Sequence, residues 1–598
     1  MDSIHYVEHL LMSAKPEHPW LVLGGILLFV IFQRLTVHDP LHDIPGPWLA
    51  KYTSLLLAYH ARGGKRHLYV DSLHKKYGPF VRITPNQVSC AHPNAPAVVY
   101  AQGSASLPKT QFYRAFYVDG TASLFSTQDR AGHSSKRRVL AHPFSYASVR
   151  QFEGWIRRSV GKMASKLDEK VRRGGGLGIN AATVGRASGS CYGTSQGEVD
   201  VLMWLNYLTV DVISDLAFGE PLGMLDRGTD VIPEEEDGGA KSDATKRGIE
   251  ANKEYGVAAM IDYRGRTAAI LGLFPYLLPG SILAPLARWI PDPDLQRGLQ
   301  GTDNLSKIAR RCVKHRLQSN EVRRGDLLDR LIDDMRNKQG LGQTPFDDSS
   351  PLSPAEMAQY EADVVTDAML LLTAGSDTTA NSTAAILFWI YATPRVLRKL
   401  REELDEMLAG VAPSASDLEL VKPMIKEADD ESVADILQIP LHDQVKDLKY
   451  LNAAIDEGLR MFATNAFGLP RVVPEGMSVN VEGHTFYEGT ELSCPAYTIQ
   501  HDPAIWGPDA DTFRPERWLE ESASGLKKHL LTFGIGPRAC IGKNLAILQV
   551  QILVATFVSR YDLVLRDPKE LRSVEGFMHK PTDLWAKVYL RGEGGLME

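Results

Sequence analysis

Residues 531–544 read LTFGIGPRACIGKN and place Cys540 on a loop that carries few side chains. The run NLAILQVQILVATFV follows at once and predicts a long, buried helix. A cysteine in this position can be a core thiol, a reactive nucleophile or a ligand to something large. Other parts of the sequence have to distinguish these three interpretations.

The composition is that of an ordinary globular protein. The 598 residues are 44% hydrophobic and 23% charged, with a formal net charge of −7. Nucleic-acid-binding proteins show a basic excess, so this charge argues against a nucleic-acid partner. The five cysteines are odd in number and share no CxxC spacing, which indicates neither a disulfide framework nor a zinc site. A reducing compartment fits best.

An uncharged stretch near the N-terminus, PWLVLGGILLFVIFQ (19–33), predicts an uncleaved membrane anchor over residues 19–37. It is shorter than the roughly 20 residues of a spanning helix, so a buried core helix is the alternative. The start of the chain is acidic and no small-residue cleavage site follows, which argues against a secretory signal. Basic residues come next, so the positive-inside rule predicts a short lumenal N-terminus (1–18) and a cytosolic body.

The segment after the anchor is rich in proline. Proline removes a backbone donor and biases the preceding residue towards extended geometry, so residues 38–52 are predicted to form a stiff hinge. We expect one folded domain over residues 53–598. Helical periodicity dominates it, with short strands predicted around residues 80–90 and near the C-terminus.

Three stretches interrupt the helical pattern and are rich in glycine or acidic residues, which indicates solvated loops. They are either surface insertions or errors in the gene model, such as an unspliced intron, and they cover residues 172–196, 233–248 and 412–440.

The longest helical pattern begins at a capping box, residues 353–356, and ends before Pro394. Some 40 residues at about 1.5 Å each would cross a whole domain. Asp377 lies in its apolar centre near Gly375, a residue type that costs about 1 kcal/mol in a helix interior. A buried carboxylate is costly to keep, so Asp377 either has a function or is a core aspartate satisfied at a kink.

The glycine-rich loop follows the pattern FGxGxRxCxG, with Phe533, Gly534, Arg538 and Cys540 at fixed positions. Glycines let backbone amides approach a thiolate, and the dipole of a following helix favours the anionic sulfur. Arg538 is cationic and can pair with a carboxylate of a ligand. The loop resembles the haem-binding loop of the cytochrome P-450 superfamily. The resemblance implies that Cys540 is the axial ligand of the iron of haem b, and that the other three residues bind this cofactor.

Two further motifs resemble the same family. AGSDTT (374–379) resembles its oxygen-activating helix, which implies that Asp377 and Thr378 are catalytic and relay protons. Upstream, His133 and Arg137 lie one helical turn apart. The family's corresponding helix lies near the haem propionates, so a partly buried cation there would neutralise a carboxylate. His133 replaces the family's commoner tryptophan, and a solvated basic face is the alternative for this pair.

Glu457 and Arg460 resemble the family's ExxR motif, whose i,i+3 spacing puts both charges on one helix face. The motif alone is weak, because residues 321–324 match it too. The assignment of the motif to Glu457 and Arg460 is more specific because FRPERW (513–518) follows and supplies Arg517. We expect these three residues to form a buried, structural ion network that holds the haem pocket.

The resemblance covers roughly residues 40–595 and implies a mainly α fold, the cytochrome P-450 helical prism with a small β region. It also implies a monooxygenase that inserts one oxygen atom from O2 into a small apolar substrate, since an axial thiolate favours O–O cleavage. No GxGxxG fingerprint follows a strand. We therefore expect electrons from a separate NADPH–cytochrome P-450 reductase, with cytochrome b5 as a second donor, at the endoplasmic reticulum membrane.

Several stretches, among them DVISDLAFGEPLGML and EGFMHKP, resemble the fungal benzoate 4-monooxygenase branch. Its members hydroxylate an aromatic acid opposite the carboxylate. Because fold-level likeness does not fix a substrate, a tailoring oxidase of fungal secondary metabolism, acting on a polyketide, terpenoid or alkaloid, is the alternative. Asp377 and Thr378 argue against a peroxide-rearranging haem enzyme. Together with the anchor and the pocket, they also argue against a non-catalytic haem-binding sensor.

The resemblance also places the substrate pocket, which is expected at residues 109–117, 371–373, 464–469 and 577–579. The aromatic side chains of these segments suit an aromatic or otherwise apolar substrate. Arg114, Lys109 and His579 are equal candidates to hold a substrate carboxylate, and for each of them a surface cation is the alternative.

Overall fold

The computed structural model of the protein describes residues 39–172, 198–231, 256–318, 326–338, 354–409 and 436–592. The predicted anchor at residues 19–37 lies outside these ranges. The three predicted loops also lie outside them, except for Arg172 and residues 436–440. The capping residue Ser353 falls outside as well.

Helices make up most of the described chain. The α-helices before residue 320 are α1 (Leu55–Arg62), α2 (Arg66–Tyr77), α3 (Ala95–Val99), α4 (Arg130–Ala141), α5 (Tyr146–Gln151), α6 (Glu153–Arg172), α7 (Val201–Phe218), α8 (Met224–Arg227), α9 (Val257–Leu271) and α10 (Pro293–Gln318). Those after it are α11 (Leu327–Lys338), α12 (Pro354–Tyr391), α13 (Pro394–Ala409), α14 (His442–Val445), α15 (Lys449–Met461), α16 (Ala496–Gln500), α17 (Pro503–Trp506), α18 (Ala523–Leu526) and α19 (Lys543–Arg560). Short 3-10 helices occur at Trp48–Lys51, Gly103–Ala105, Gln111–Phe116, Pro275–Leu277, Ala284–Trp289, Pro515–Trp518, Lys527–His529 and Gly536–Arg538.

The strands are short and form small sheets. They are β1 (Phe80–Arg82), β2 (Gln87–Cys90), β3 (Glu198–Asp200), β4 (Arg471–Val472), β5 (Ser478–Val481), β6 (His484–Tyr487), β7 (Glu491–Ser493), β8 (Tyr561–Leu565), β9 (Ser573–Glu575), β10 (His579–Pro581) and β11 (Trp585–Leu590). The largest sheet has the order β1-β2-β7-β4, in which β2 and β7 are parallel and the other neighbours antiparallel. A second sheet has the order β3-β11-β8, and β5–β6 and β9–β10 are antiparallel pairs. The prediction of a mainly α fold with a small β region is confirmed.

The central helix α12 passes through the main hydrophobic core. It runs without a break from Pro354 to Tyr391, and α13 begins at Pro394, the proline at which the sequence predicted a stop. α12 packs against α7, α10, α15 and α19. Gly375 permits the close approach of α7, because a Cβ at this position would lie 2.7 Å from Cγ1 of Ile213. The helix assignment continues through this glycine, and a kink there stays a prediction.

Among the described helices, α7 is the one that is long and apolar enough to cross a membrane, with a mean hydropathy of 1.4 over 18 residues. Of this window, 89% is buried inside the protein. The side chain of Asp200 accepts the N–H of Leu202 at its start, and Gly219, in the left-handed conformation with φ 89°, ends it. The packing of α7 against α12 makes it a core helix of the folded body.

Candidate active site

A large cavity lies between α4, α9, α12 and the loop that carries Cys540. Its empty volume is about 2040 Å³, counting its opening to solvent. The predicted catalytic and cofactor-binding residues come from three distant parts of the sequence and all line it: His133, Arg137, Asp377, Thr378, Phe533, Gly534, Arg538 and Cys540. The fold therefore assembles one site from these residues.

The loop holds Cys540 by backbone contacts. The N–H of Cys540 donates to the carbonyl oxygen of Phe533 at 2.8 Å. α19 begins at Lys543, a few residues after the cysteine, and not at the cysteine itself as expected. The Cys540 thiol opens to the cavity, but the protein atoms around it still desolvate it and raise its pKa, while a hydrogen bond from the backbone N–H of Gly542 and the charges of Arg137 and Lys543 act in the opposite direction. The thiolate form thus has a donor and two cations near it.

The side chain of Cys540 differs from those of the other described cysteines. Cys90, Cys312 and Cys494 are buried, whereas Cys540 is exposed and lines the cavity. Its sulfur is therefore accessible from the cavity. This geometry does not fit the interpretation as a core thiol, and it fits a group that binds or reacts with something in the cavity.

Gly536 allows the loop to pack closely on the residue that follows α3. Its φ is 74°, a conformation that favours glycine, and a Cβ would lie 2.1 Å from the carbonyl oxygen of Tyr100. The motif predicts that the glycines of the loop allow backbone amides to contact sulfur. That explanation fits Gly542, but Gly536 is required by this close approach.

Positive side chains cluster at one wall of the cavity. Burial and the charges of Arg471, Arg538 and Arg137 lower the pKa of Lys109 well below its usual value. Burial, followed by the charge of Arg471, lowers the pKa of Arg538 to about 10. Burial and these cations also lower the pKa of His133 to about 3, whereas a neighbouring carboxylate would raise it, so the expected pairing of His133 with a carboxylate stays a prediction.

The hydrogen bonds of this wall leave its positive charge uncompensated. Nη1 of Arg137 donates to the carbonyl oxygen of Ala539 at 2.9 Å, and Arg538 donates to the carbonyl oxygens of Thr127 and Gln128 at 2.8 and 3.0 Å. These partners are neutral. Partly buried cations without counter-charges are costly, and carboxylates of a bound ligand would offset the cost. The wall therefore fits the propionates of a haem, and the accessible Cys540 fits its iron.

Asp377 and Thr378 line the cavity from α12. The hydroxyl of Thr378 donates to the carbonyl oxygen of Ala374 at 2.7 Å. Burial raises the pKa of the Asp377 carboxyl, although the nearby positive charge of Lys580 acts against it. Lys580 itself pairs with Asp262 at 3.0 Å. Neighbouring positions of α12 thus offer a carboxyl and a hydroxyl group to the cavity.

Glu457, Arg460 and Arg517 lie together, fully buried, behind the cavity wall. Nη2 of Arg460 and Nε of Arg517 both donate to Oε1 of Glu457 at 2.9 Å, and Nε of Arg460 donates to Oε2 at 2.9 Å. Nε1 of Trp518 also donates to Oε2, at 2.9 Å. α15 carries Glu457 and Arg460 and contributes Leu459 to the wall, so this network fixes part of the cavity.

Aromatic side chains form another part of the cavity lining. Phe116 lies 4.5 Å from Phe577 and 5.3 Å from Phe125 between ring centroids, in edge-to-face arrangements. The residues of the predicted pocket segments that line the cavity are Lys109, Phe116, Leu371, Thr373, Thr464, Asn465, Leu469, Phe577 and Met578. This lining suits an apolar, ring-shaped molecule.

The three candidates for a substrate carboxylate lie in different places. Lys109 lines the cavity at the cationic wall. Arg114 lies outside the lining, where it donates to the carbonyl oxygen of Pro279 and to Gln111. His579 is buried, shares a 2.8 Å hydrogen bond with Ser573, and has its pKa lowered to about 3 by burial and neighbouring charge. Arg114 and His579 are therefore not placed to bind a ligand in the cavity.

Sequence reasoning missed Arg264, which lines the cavity from α9. Burial lowers the pKa of its guanidinium to about 10. The available signal was that Asp262, Arg264 and Arg266 interrupt an otherwise apolar helix. Alternate charges of this kind indicate that one side chain faces inward, but not which one.

Comparisons with known proteins agree with this arrangement. The family model for Cytochrome P450 matches residues 45–585. Benzoate 4-monooxygenase of Aspergillus niger is 34% identical over 591 residues, which is 98% of this chain and 100% of that protein. Pisatin demethylase of Fusarium vanettenii is 27% identical over 547 residues, 91% of this chain and 89% of that protein. A cytochrome P450 monooxygenase of Penicillium aethiopicum is 26% identical over 586 residues, 96% and 97% of the two chains.

Proposed function

The chain belongs to the cytochrome P450 family and is a cytochrome P450 monooxygenase, and on that premise we propose that Cys540 is the axial thiolate ligand of its haem b iron. The observation that carries the proposal is the position of Cys540. Its sulfur is accessible from the cavity that the cationic wall, Asp377 and Thr378 also line. A single thiolate is the ligand that a monooxygenase of this type uses.

The bound haem would supply the oxygen-activating chemistry, and the residues of this chain would bind and orient it. Lys109, Arg137 and Arg538 would hold its propionates, because they lie at one wall and, within the described residues, form no ion pair with a carboxylate side chain. Phe533 and Gly534 would pack near the thiolate. The buried network of Glu457 would keep this wall in place.

Asp377 and Thr378 would supply protons. Burial raises the pKa of Asp377, so its carboxyl holds a proton at higher pH than an exposed aspartate does. A hydroxyl group both donates and accepts hydrogen bonds, so Thr378 can pass a proton between this carboxyl and the cavity. General acid catalysis by such a positioned group typically contributes about 10²- to 10⁴-fold in rate.

The substrate is a small, mostly apolar and aromatic molecule. The edge-to-face rings of Phe116, Phe125 and Phe577 support this, as does the 34% identity to a benzoate 4-monooxygenase over nearly the whole chain. The cavity is lined both by the residues expected to bind a haem and by these aromatic side chains, which supports one site for cofactor and substrate. The 27% identity to a pisatin demethylase, a relative whose name gives a different substrate, supports as a second candidate a tailoring oxidase of fungal secondary metabolism.

Electrons come from a separate NADPH–cytochrome P-450 reductase, with cytochrome b5 as a second donor, at the cytosolic face of the endoplasmic reticulum membrane. Residues 19–37 span the membrane once and residues 38–52 form the hinge. Exposed apolar side chains on the described body support contact with a membrane, since Trp48, Tyr59, Ile282 and Trp289 are between 70% and 81% exposed.

A salt bridge of 2.6 Å between Arg62 and Asp292 joins the two segments that carry these apolar side chains. If these side chains contact the membrane, a fraction of the molecules should stay bound to microsomal membranes after residues 1–38 are deleted. Adding Ile282→Ser and Trp289→Ser should release it. Full release by the deletion alone would contradict a membrane contact of the body.

The test of the central proposal is the carbon monoxide difference spectrum of the reduced protein. Cys540→Ala should abolish the thiolate-type Soret band. Cys312→Ala, which removes a buried thiol from α10, should keep it. A thiolate band that persists in Cys540→Ala would refute the proposal.

The substrate is tested on the same sample by the spin state of the haem iron. A low-to-high-spin change on addition of benzoate supports an aromatic acid as substrate. A change with larger apolar compounds alone supports the tailoring oxidase.

A further inference from the structure

Arg264 places a positive charge in an otherwise aromatic part of the cavity. It lies on α9 and lines the cavity together with Ile261, Phe116 and Phe577. Its guanidinium carbon lies 5.7 Å from the centroid of the Phe116 ring, and its Nη2 donates to the carbonyl oxygen of Phe116 at 3.3 Å. The charge is thus held beside the rings that would contact a substrate.

The hydrogen bond to Phe116 uses only one of the N–H donors of the Arg264 side chain. A guanidinium has five N–H donors in a planar fork, and Nε of Arg264 is buried without a hydrogen-bond partner. Within the described parts of the chain, no carboxylate forms an ion pair with Arg264. A partly buried cation without an anion costs free energy, which a bound anionic ligand would recover.

The carboxylates nearest to it in the sequence and in the cavity have other partners. Asp262, on the same helix, pairs with Arg266 and with Lys580, each at 3.0 Å. Asp377 is influenced by Lys580 and Asp262. The charge of Arg264 is therefore not used to neutralise either acid.

Arg264 lines the cavity from α9, whereas the cationic wall comes from other segments of the chain, among them α4 with Arg137 and the loop with Arg538. The shifts in pKa of Lys109 and Arg538 arise from burial and from the charges of that wall, among them Arg137 and Arg471. The propionates of the haem have their partners there. Arg264 is then available for a second anion in the same cavity.

We propose that Arg264 binds the carboxylate of the substrate and that the substrate is an aromatic carboxylic acid whose ring lies against Phe116 and Phe577. The planar guanidinium matches a carboxylate with two parallel hydrogen bonds, which a lysine cannot do. A carboxylate fixed at this wall orients the ring, so one ring position is presented for oxidation. This inference rests on the proposed function and assigns the residue that selects its substrate.

The experiment compares two ligands and two matched variants by spin-state titration of the haem-loaded protein. The ligands are benzoate and toluene, which has the same ring but carries a methyl group in place of the carboxylate. The variants are Arg264→Met and Arg114→Met, since Arg114 is a nearby arginine that lies outside the cavity lining. Arg264→Lys serves as the conservative variant.

We expect Arg264→Met to weaken benzoate binding by at least about thirty-fold, as loss of one partner of a buried charge pair does. Its affinity for toluene should stay within about threefold. Arg114→Met should bind both ligands as the wild type does, and Arg264→Lys should recover part of the benzoate affinity. Equal losses for both ligands, or an equal loss in Arg114→Met, would overturn the assignment.

The carbon monoxide spectrum separates failure of this inference from failure of the proposed function. If the wild type shows the thiolate band and responds to toluene but not to benzoate, the carboxylate site is wrong and the monooxygenase stands. If haem-loaded protein shows no thiolate band, the proposed function is wrong, and this inference, which depends on it, is wrong as well.

Discussion

Arg517 donates through Nε to Oε1 of Glu457 at 2.9 Å, and both side chains are completely buried. Loss of one partner of such a pair leaves an uncompensated charge and costs roughly 3–5 kcal/mol. We therefore predict that Arg517→Leu lowers the free energy of unfolding by about this amount and reduces the haem content. Urea unfolding and the absorbance of purified protein measure the two effects.

The control for this prediction is Arg514→Leu in the same FRPERW motif. Arg514 pairs with Asp509 at 2.6 Å, but both side chains are about one-third exposed. Exposed pairs contribute about 0–1 kcal/mol. Equal destabilisation by the two substitutions would show that burial of the Glu457 network does not determine its contribution.

Short motifs located Cys540 and the residues of the Glu457 network in the sequence, and the family resemblance supplied their expected roles. The haem-loop motif and the i,i+3 spacing of Glu457 and Arg460 depend on residues that are close in sequence, and the fold only has to add Arg517. The assembly of His133, Arg137 and Asp377 around one cavity was predicted from a resemblance. In the structure these side chains line one cavity, and their positions relative to a haem and their chemical roles stay predictions.

Side chains whose surroundings come from distant elements could not be predicted. Arg264 faces the cavity because α9 packs with Phe116, which lies on a separate segment of the chain. Gly375 was interpreted as a weak point of its helix. The contact with Ile213 that requires it belongs to α7, more than a hundred residues earlier. Charge patterns and helix propensities contain no information about such packing.

Gly375→Ala is predicted to destabilise the protein through a clash with Ile213. A Cβ at 2.7 Å from Cγ1 overpacks the core at a cost of about 1–3 kcal/mol, from which the better helix propensity of alanine subtracts about 1 kcal/mol. Ile213→Ala removes the clashing atoms. The double variant should therefore be more stable than the sum of the two single effects by about 0.5–3 kcal/mol. Strict additivity in urea unfolding would contradict a direct contact.

Thr378→Ala is predicted to uncouple electron transfer from product formation. Its hydroxyl lines the cavity, whereas that of Ser376 is buried, and each donates to a backbone carbonyl oxygen at 2.7 Å. Loss of the hydroxyl next to Asp377 should lower product formed per NADPH by about tenfold or more. Ser376→Ala is the matched control and should keep the ratio of the wild type. Substrate-induced spin change should be the same in both variants, and equal coupling in both would contradict a proton-relay role for Thr378.

His579 is predicted to make the protein less stable in mild acid. Burial and the charge of His67 lower its pKa to about 3, although Glu575 acts in the opposite direction. The unfolded chain takes up a proton near pH 6.5 and the folded protein does not, so the free energy of unfolding falls as the pH falls from about 6.5 towards 3. The lowered pKa of Glu575, about 2, affects stability only below about pH 4.5.

Urea unfolding at pH 5, 6 and 7 tests this sign. The wild type should lose up to about 1.4 kcal/mol more per pH unit below pH 6.5 than His579→Gln does, because one proton is taken up on unfolding. His142→Gln, which changes an exposed histidine after α4, should follow the wild type. Parallel stability curves for the wild type and His579→Gln would mean that the pKa of His579 is the same in the folded and the unfolded protein, which would contradict this prediction.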